Sequence, residues 1–193
     1  MLAEPNDDKG GLMCATVMAG ITLLNGSRFK QLKRDIGILT QGKNIMFVST
    51  GNWSLHQLVE YVLLQTGKAS IYITTWSITE EPARNILRLK KEGYIETVSC
   101  ILDYRAKQRS NKSTSFIVKN FDKVVFAKCH AKTVLIENEH WRVVITGSAN
   151  FTRNPRIETG FVLCDEVSFT FSKKWIMNVM NNGHYKMLKD GFE

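Results

Sequence analysis

The stretch from residue 44 to residue 102 alternates short apolar runs with amphipathic segments, and this alternation limits the chain to few folds. Three runs are strand-like, since they are short and rich in apolar, β-branched or aromatic residues: 44–49 (NIMFVS), 69–76 (ASIYITTW) and 97–102. The two segments between them place apolar residues at helical spacing and end at Gly67 and Gly93. This order predicts parallel strands joined by crossover helices.

The second half of the chain adds more strands than helices. Strand-like runs occupy residues 123–127, 133–136, 142–146 and 158–164, and a helical pattern covers 169–180. The polar and basic stretch 103–119 is expected to be a mobile loop. We therefore expect one α/β domain over residues 44–193, with a mixed, largely parallel sheet flanked by helices on both faces. No role is assigned to the N-terminal segment 1–43.

The charge of the chain favours a polyanionic partner. Its 193 residues carry 26 Lys+Arg against 18 Asp+Glu, a formal charge of +8. Such a balance suits nucleic acid, although a solvated basic surface would give the same number. Four basic residues lie on one helix-like stretch, where a solvated face and phosphate contact are equally open: Arg28, Lys30, Lys33 and Arg34.

Neither a membrane span nor a cysteine framework is indicated. The apolar stretch Gly11 to Leu24 is shorter than the roughly 20 residues that cross a bilayer. The residues before it are mostly acidic, whereas a secretory signal peptide begins with positive charge. We therefore expect a buried segment. The four cysteines lie far apart without a C-x-x-C pair, which fits a reducing cytoplasm. A metal site joining Cys129 and Cys164 is the less favoured alternative to two buried thiols. We expect no cofactor and no metal.

Residues 130–158 carry the chemistry-bearing pattern. On a strand, His130 and Lys132 would project to one face, because side chains alternate with a period of two. The turn that begins at Gly147 then brings in Ser148 and Asn150. An imidazole, an ammonium, a hydroxyl and an amide together suit a tetrahedral anion, with one nucleophile or base and three donors for its oxygens.

These residues resemble the signature of the phospholipase D superfamily, which is H-x-K, four residues, Asp, and a downstream G-S-x-N-like turn. His130-x-Lys132 and Gly147-Ser148-Ala149-Asn150 match it, and Glu137 stands where the family has its Asp. That Asp is more often a structural partner than the nucleophile. The resemblance extends loosely from about residue 44 to the C-terminus.

The resemblance implies a mechanism for the matching positions. His130 would attack phosphorus to give a phosphohistidine, which water hydrolyses, and Lys132 and Asn150 would hold the non-bridging oxygens. Ser148 would be a further donor. Glu158 is the candidate for orienting the histidine ring through its other nitrogen. Such a site needs no metal ion.

The number of H-x-K motifs implies a dimer. The family mechanism uses two histidines from two motifs, and this chain has one in a suitable setting. His184-x-Lys186 matches formally, but it lies in a polar tail with no following strand or Gly-Ser turn. A two-fold homodimer that places two copies of His130 face to face is the economical arrangement.

The sequence therefore predicts a metal-independent phosphodiesterase, most simply a nuclease acting on DNA or RNA. Four basic residues of the 103–119 stretch are expected to follow the nucleic-acid backbone: Arg105, Lys107, Arg109 and Lys112. A lipid phosphodiesterase is disfavoured, because no membrane-docking helix is visible. A binding module that lost turnover stays open. Trp53, Trp76 and Trp141 are expected to be core or rim residues rather than stacking platforms.

Overall fold

The computed structural model describes residues 29–109, 111–153 and 156–183, and only the backbone of Lys107, Arg109 and Asn111. The predicted buried segment 11–24, Arg28 and the formal match at 184–186 lie outside these residues. In chain order the described elements are α1 (Lys30–Asp35), β1 (Ile45–Ser49), α2 (Leu55–Thr66), β2 (Ala69–Thr75), α3 (Glu80–Lys91), β3 (Ile95–Asp103), α4 (Ala106–Arg109), α5 (Asn111–Asn120), β4 (Lys123–Ala127), β5 (Thr133–Glu137), β6 (Arg142–Gly147), β7 (Glu158–Leu163) and α6 (Glu166–Asn182).

The predicted mobile loop over 103–119 is wrong, because most of this segment is helical. Helix α5 turns Ser113, Thr114 and Ile117 inward, and all three are buried. Two of these inward positions hold hydroxyl side chains. The segment therefore lacks the apolar periodicity by which helices are recognised in a sequence.

The described strands form a seven-stranded sheet in the order β1-β7-β6-β5-β2-β3-β4. Only the pairs β2–β3 and β3–β4 are parallel, while β1–β7, β2–β5, β5–β6 and β6–β7 are antiparallel. The prediction of a largely parallel sheet is therefore wrong. Helices return the chain to the same end of the sheet only as far as β4. Beyond β4 the strands follow one another without an intervening helix, so the chain must reverse direction each time.

Side chains that alternate along the central strands divide the core into two clusters. On β3, Cys100 and Leu102 belong to the larger cluster, which α2 and α3 share, whereas Ile101 packs in a second cluster with α6. Phe29 and Leu32, at the start of the described chain, are buried in the larger cluster. The part of the N-terminal segment that the structure describes thus shares the core of the rest.

One edge of the sheet collects the segments that the sequence singled out. Strands β2, β3 and β4 end there, and β5 begins there, because Thr74 pairs with Thr133. Strand β6 ends and β7 begins at the same edge, since Gly147 pairs with Gly160. We call this the site edge. Within the described ranges, no helix combines the length and apolarity that crossing a bilayer requires.

Candidate functional site

His130 and Lys132 lie in the loop that joins β4 to β5, just before β5 begins at Thr133. The loop brings the two side chains together: Lys132 Nζ lies 3.3 Å from His130 Nε2 and donates to the His130 carbonyl oxygen at 2.7 Å. The imidazole is exposed. The structure therefore places a ring nitrogen and an ammonium group side by side at the site edge.

The ammonium group of Lys132 sits in opposing electrostatic influences. Burial lowers its pKa below the ordinary lysine value, while Cys129 and the negative charge of Glu158 act in the opposite direction. The lowering prevails, so Lys132 holds its proton less tightly than an exposed lysine does.

The turn after β6 depends on two facing glycines. A Cβ atom on Gly147 would collide with the Thr159 carbonyl oxygen and lie 2.8 Å from the Cα of Gly160. This close approach of β6 and β7 allows Ser148 N to donate to Thr159 O at 2.9 Å, and Thr159 N to donate to Ser148 Oγ at 3.1 Å. The main chain thereby holds the Ser148 hydroxyl in place.

Glu158 lies beside this hydroxyl. Ser148 Oγ donates a short hydrogen bond to Glu158 Oε2. Among the described residues, no hydrogen bond joins Glu158 to the His130 ring, although its charge acts on Lys132. The contact between this carboxylate and an imidazole therefore stays a prediction for the assembled site.

Asn150 is tied to the end of β2. Thr75 Oγ1 lies 3.3 Å from Asn150 Oδ1 and 2.9 Å from the Ser77 carbonyl oxygen. This contact engages the oxygen end of the amide, so the end that can donate to a substrate oxygen is the NH₂ group. The next residue, Phe151, is fully buried and its carbonyl accepts from Thr79 N at 2.9 Å, which anchors the turn to α3.

A stack of side chains supports His130 from the neighbouring strands. The Trp76 ring meets the His130 ring edge to face, with centroids 5.8 Å apart, and the Arg105 guanidinium lies 6.0 Å from the Trp76 ring centroid. Trp76 is partly buried at the site edge. Arg105, predicted to contact the nucleic-acid backbone, lies near the same indole ring that packs against the candidate nucleophile.

Asp103 organises this stack, and its role was not predicted from the sequence. Its carboxylate is 1% exposed and accepts from Arg105 Nε at 2.8 Å and from Cys129 N at 3.3 Å. Burial would raise its pKa, but the hydrogen bonds and charge of Arg105 outweigh burial and lower the pKa below the usual range. The signal in the sequence was an acid followed two residues later by an arginine at a strand's carboxyl end.

The other predicted basic residues lie on α4 and α5. Lys112 is exposed on α5, whereas the side chains of Lys107 and Arg109 lie outside the described part of the chain. Lys128, two residues before His130, is exposed at the site edge and was not predicted.

Glu137 does not belong to the site. It lies at the far end of β5 from His130, where it forms ion pairs with Lys173 at 2.5 Å and with Arg142 at 3.5 Å. These contacts link β5, β6 and α6. The residue at the family's Asp position is thus a structural ion-pair partner in this chain.

The two cysteines of the alternative metal site do not meet. Cys129 lies at the site edge, and Cys164 follows β7 at the opposite edge. Burial raises the pKa of both thiols, that of Cys164 to about 11, so both are neutral at pH 7. Within the described residues, no three His, Cys, Asp or Glu side chains converge as metal ligands.

Comparison with known proteins reaches the fold only. No family model matches the sequence, and no curated protein does. Among solved structures, polyphosphate kinase from Porphyromonas gingivalis is similar, with a TM-score of 0.55 and 14% identity over 77% of this chain. TrmBL2, an archaeal chromatin protein whose structure shows a novel mode of DNA binding, has a TM-score of 0.50 and 13% identity over 91%.

Phosphatidylserine synthase from Haemophilus influenzae Rd KW20 also matches, with a TM-score of 0.49 and 13% identity over 72% of this chain. This chain spans 27% of the kinase, 38% of the synthase and 64% of TrmBL2. At these identities the similarity shows a shared fold: most of this chain has the α/β fold found in part of the kinase and in TrmBL2.

Proposed function

We propose that this protein is a metal-independent phosphodiesterase that cleaves nucleic acid through a phosphohistidine at His130. The proposal rests on one observation, the 3.3 Å between His130 Nε2 and Lys132 Nζ beside the turn that holds Ser148 and Asn150. In this proposal His130, Lys132 and Asn150 face one phosphate group at the site edge. This set can bind and attack a phosphate diester.

In the first half of the reaction, the lone pair of His130 Nε2 attacks phosphorus. A P–N bond forms, and the bond from phosphorus to one ester oxygen breaks. That oxygen leaves with its electron pair and takes a proton from a second imidazolium. In the second half, the now neutral second imidazole removes a proton from water, the water oxygen attacks phosphorus, and the P–N bond breaks.

The donors act on the charge that develops on the non-bridging oxygens. The Lys132 ammonium, 3.3 Å from Nε2, would donate a hydrogen bond to a non-bridging oxygen of the phosphate bound there. The NH₂ end of Asn150 approaches from the neighbouring turn, where the single proton of the Ser148 hydroxyl is donated to Glu158. Fixed donors of this kind stabilise the transition state more than the ground state, because they need no reorganisation as the charge builds.

The second imidazole comes from a second copy of this chain. His130 is exposed at the site edge, so a two-fold axis beside it can bring its counterpart to the other side of the phosphate. One shared site would then use one histidine of each copy as nucleophile and the other as general acid.

Nucleic acid is the substrate class that the charge favours. The chain carries a formal charge of +8, and Arg105 and Lys128 lie near His130 at the site edge. Phosphate diesters in a polymer are attracted by such cations at many points along the backbone. The fold that this chain shares with a DNA-binding chromatin protein is compatible with that substrate.

The test is cleavage of plasmid, single-stranded DNA and single-stranded RNA in EDTA by wild type and by His130→Ala. His140→Ala is the matched control, because His140 is an exposed histidine in the turn between β5 and β6, at the opposite edge of the sheet. We expect cleavage by wild type and by the control, and none by His130→Ala. Tight binding without cleavage by wild type would instead identify a binding module. A parallel assay uses phosphatidyl substrates, and turnover of these alone would identify a lipid enzyme.

A further inference from the structure

A groove of about 400 Å³ opens directly beside the candidate nucleophile. One wall is the loop between β4 and β5, and the other is the C-terminal half of α6. Its lining is Ala127, Lys128, Cys129, His130, Ala131, Trp175 and Val179. Because His130 lines this groove, a nucleotide whose phosphate is bound at His130 has the groove within reach.

The chemistry of the groove suits a flat ring with a polar rim. Trp175 is partly buried against the smaller core cluster and lines the groove, where Val179 and two alanines complete an apolar surface. Lys128 adds one exposed cation to the lining. Nucleobases stack on aromatic side chains in this way, while the sugar-phosphate chain stays near the cations.

We propose that this groove binds an unpaired nucleobase next to the scissile phosphate, so that the site acts on single strands or on unpaired segments. The inference rests on the proposed function, which supplies the phosphate at His130. A base inside a duplex is stacked and paired on both sides. It would have to leave the helix to reach Trp175, whereas a single strand presents its bases at little cost.

Binding can be measured without cleavage. The probes are two labelled phosphorothioate strands of equal length and charge, oligothymidylate and a strand of abasic residues, and the readout is fluorescence anisotropy. Wild type is expected to bind the strand with bases more tightly by between about fivefold and about 150-fold, the range for one stacked base. Trp175→Ala should lose this preference and keep its affinity for the abasic strand. Trp175→Phe should retain most of it.

Phe171→Ala is the matched control, because Phe171 is an aromatic residue of the same helix, 56% exposed, that does not line the groove. It should leave the preference unchanged. Thermal unfolding of each variant checks that the fold is retained. Equal binding of both probes by wild type, or an equal loss for both probes in Trp175→Ala, would overturn the base site.

Two further measurements separate this inference from its alternatives. Sedimentation of Trp175→Ala should show the wild-type oligomeric state, and dissociation would mean that the groove is covered by a second copy. Discrimination between the probes without any cleavage would overturn the proposed nuclease and leave the base site standing. Cleavage of single and double strands at equal rates, with no discrimination between the probes, would do the reverse.

Discussion

The buried carboxylate of Asp103 holds the guanidinium of Arg105 through a 2.8 Å hydrogen bond at the end of β3. The same carboxylate accepts the backbone N–H of Cys129, the residue before His130, at 3.3 Å. Arg105 in turn lies over Trp76, whose ring packs against the His130 imidazole. One acid therefore positions the candidate nucleophile from two directions, although it does not touch the phosphate site itself.

Asp103→Asn is expected to lower the rate of cleavage. The amide carries no charge and replaces one acceptor oxygen by a donor, so it cannot hold both Arg105 and the Cys129 N–H. We expect a fall in kcat with little change in KM, since binding groups remain, and a loss of about 1–3 kcal/mol in the free energy of unfolding. Steady-state kinetics and urea denaturation measure the two effects.

Asp122→Asn is the control for that change. Asp122 also accepts a lysine and a backbone N–H, from Lys90 at 2.5 Å and Val98 at 2.7 Å, but at the edge of the sheet opposite the site. It should cost stability and leave kcat unchanged. If both variants lost activity in proportion to their stability, Asp103 would be a structural residue only.

Lys132→Ala should slow turnover far more than it weakens binding. The ammonium is placed to oppose charge that develops in the transition state, and removal of one such donor costs roughly 10²–10³-fold in kcat. The dissociation constant for nucleic acid should change only about threefold, because the remaining cations still contact the backbone. Single-turnover cleavage and filter binding give the two numbers. An equal loss in both would make Lys132 a binding residue.

The alkaline side of the pH–rate profile should respond to Glu158. Burial lowers the pKa of Lys132, and the charge of Glu158 partly offsets this. Glu158→Gln removes that charge, so the pKa falls further and activity should be lost at a lower pH than in wild type. Ser148→Ala keeps the carboxylate and should leave this limb in place. If the limb does not shift in Glu158→Gln, the loss of activity at high pH does not arise from deprotonation of Lys132.

Salt dependence tests the basic residues after β3. Replacing Arg105, Lys107 and Arg109 together by alanine should flatten the plot of log K against log salt, by about 0.7–0.9 for each phosphate that these side chains neutralise in wild type. A control with the same change in charge replaces Lys68, Lys91 and Lys123, which lie toward the opposite edge of the sheet. An identical slope in wild type and in the first variant would show that these three side chains do not contact phosphates of the bound nucleic acid.

Gly160→Ala should disturb the pairing of β6 with β7. The added Cβ would lie 2.5 Å from the Thr146 carbonyl oxygen and 2.7 Å from the Phe47 ring. Overpacking of this kind lowers the free energy of unfolding by about 1–3 kcal/mol. The turn that carries Ser148 should shift relative to His130, so we expect activity to fall as well. Phe161→Ala, an exposed change on the same strand, should cost less. Unfolding midpoints and cleavage rates measure both effects, and equal costs for the two variants would contradict the prediction.

The local sequence pattern was enough to predict most of the helices and strands and the residue types of the candidate site. Strand β4 occupies the same residues, 123–127, that its β-branched run predicts, and the strand-like runs before and after the H-x-K motif are strands. Such runs are recognised correctly because the alternation of side chains is a property of neighbouring residues. The helix over Asn111–Asn120 was missed for the same reason, since its inward positions hold Ser113 and Thr114.

Pairing between distant strands could not be predicted from the sequence. The antiparallel arrangement of β5, β6 and β7 depends on which edge receives each strand, and Asp103 becomes a positioning residue only because β3 ends beside the loop of His130. Trp175 is more than forty residues from His130 in the chain and lines a groove with it in the fold.

The sequence by itself determined which chemical groups this protein has for phosphate chemistry: a histidine and a lysine two residues apart, and a glycine turn with a serine and an asparagine. The tertiary structure decided which of them meet, that Glu158 turns to Ser148 and that Glu137 serves an ion pair elsewhere. The physical reason is range. Side-chain identity and spacing fix what a short segment can do, whereas contacts between segments follow from strand order and from the burial that only the whole chain achieves.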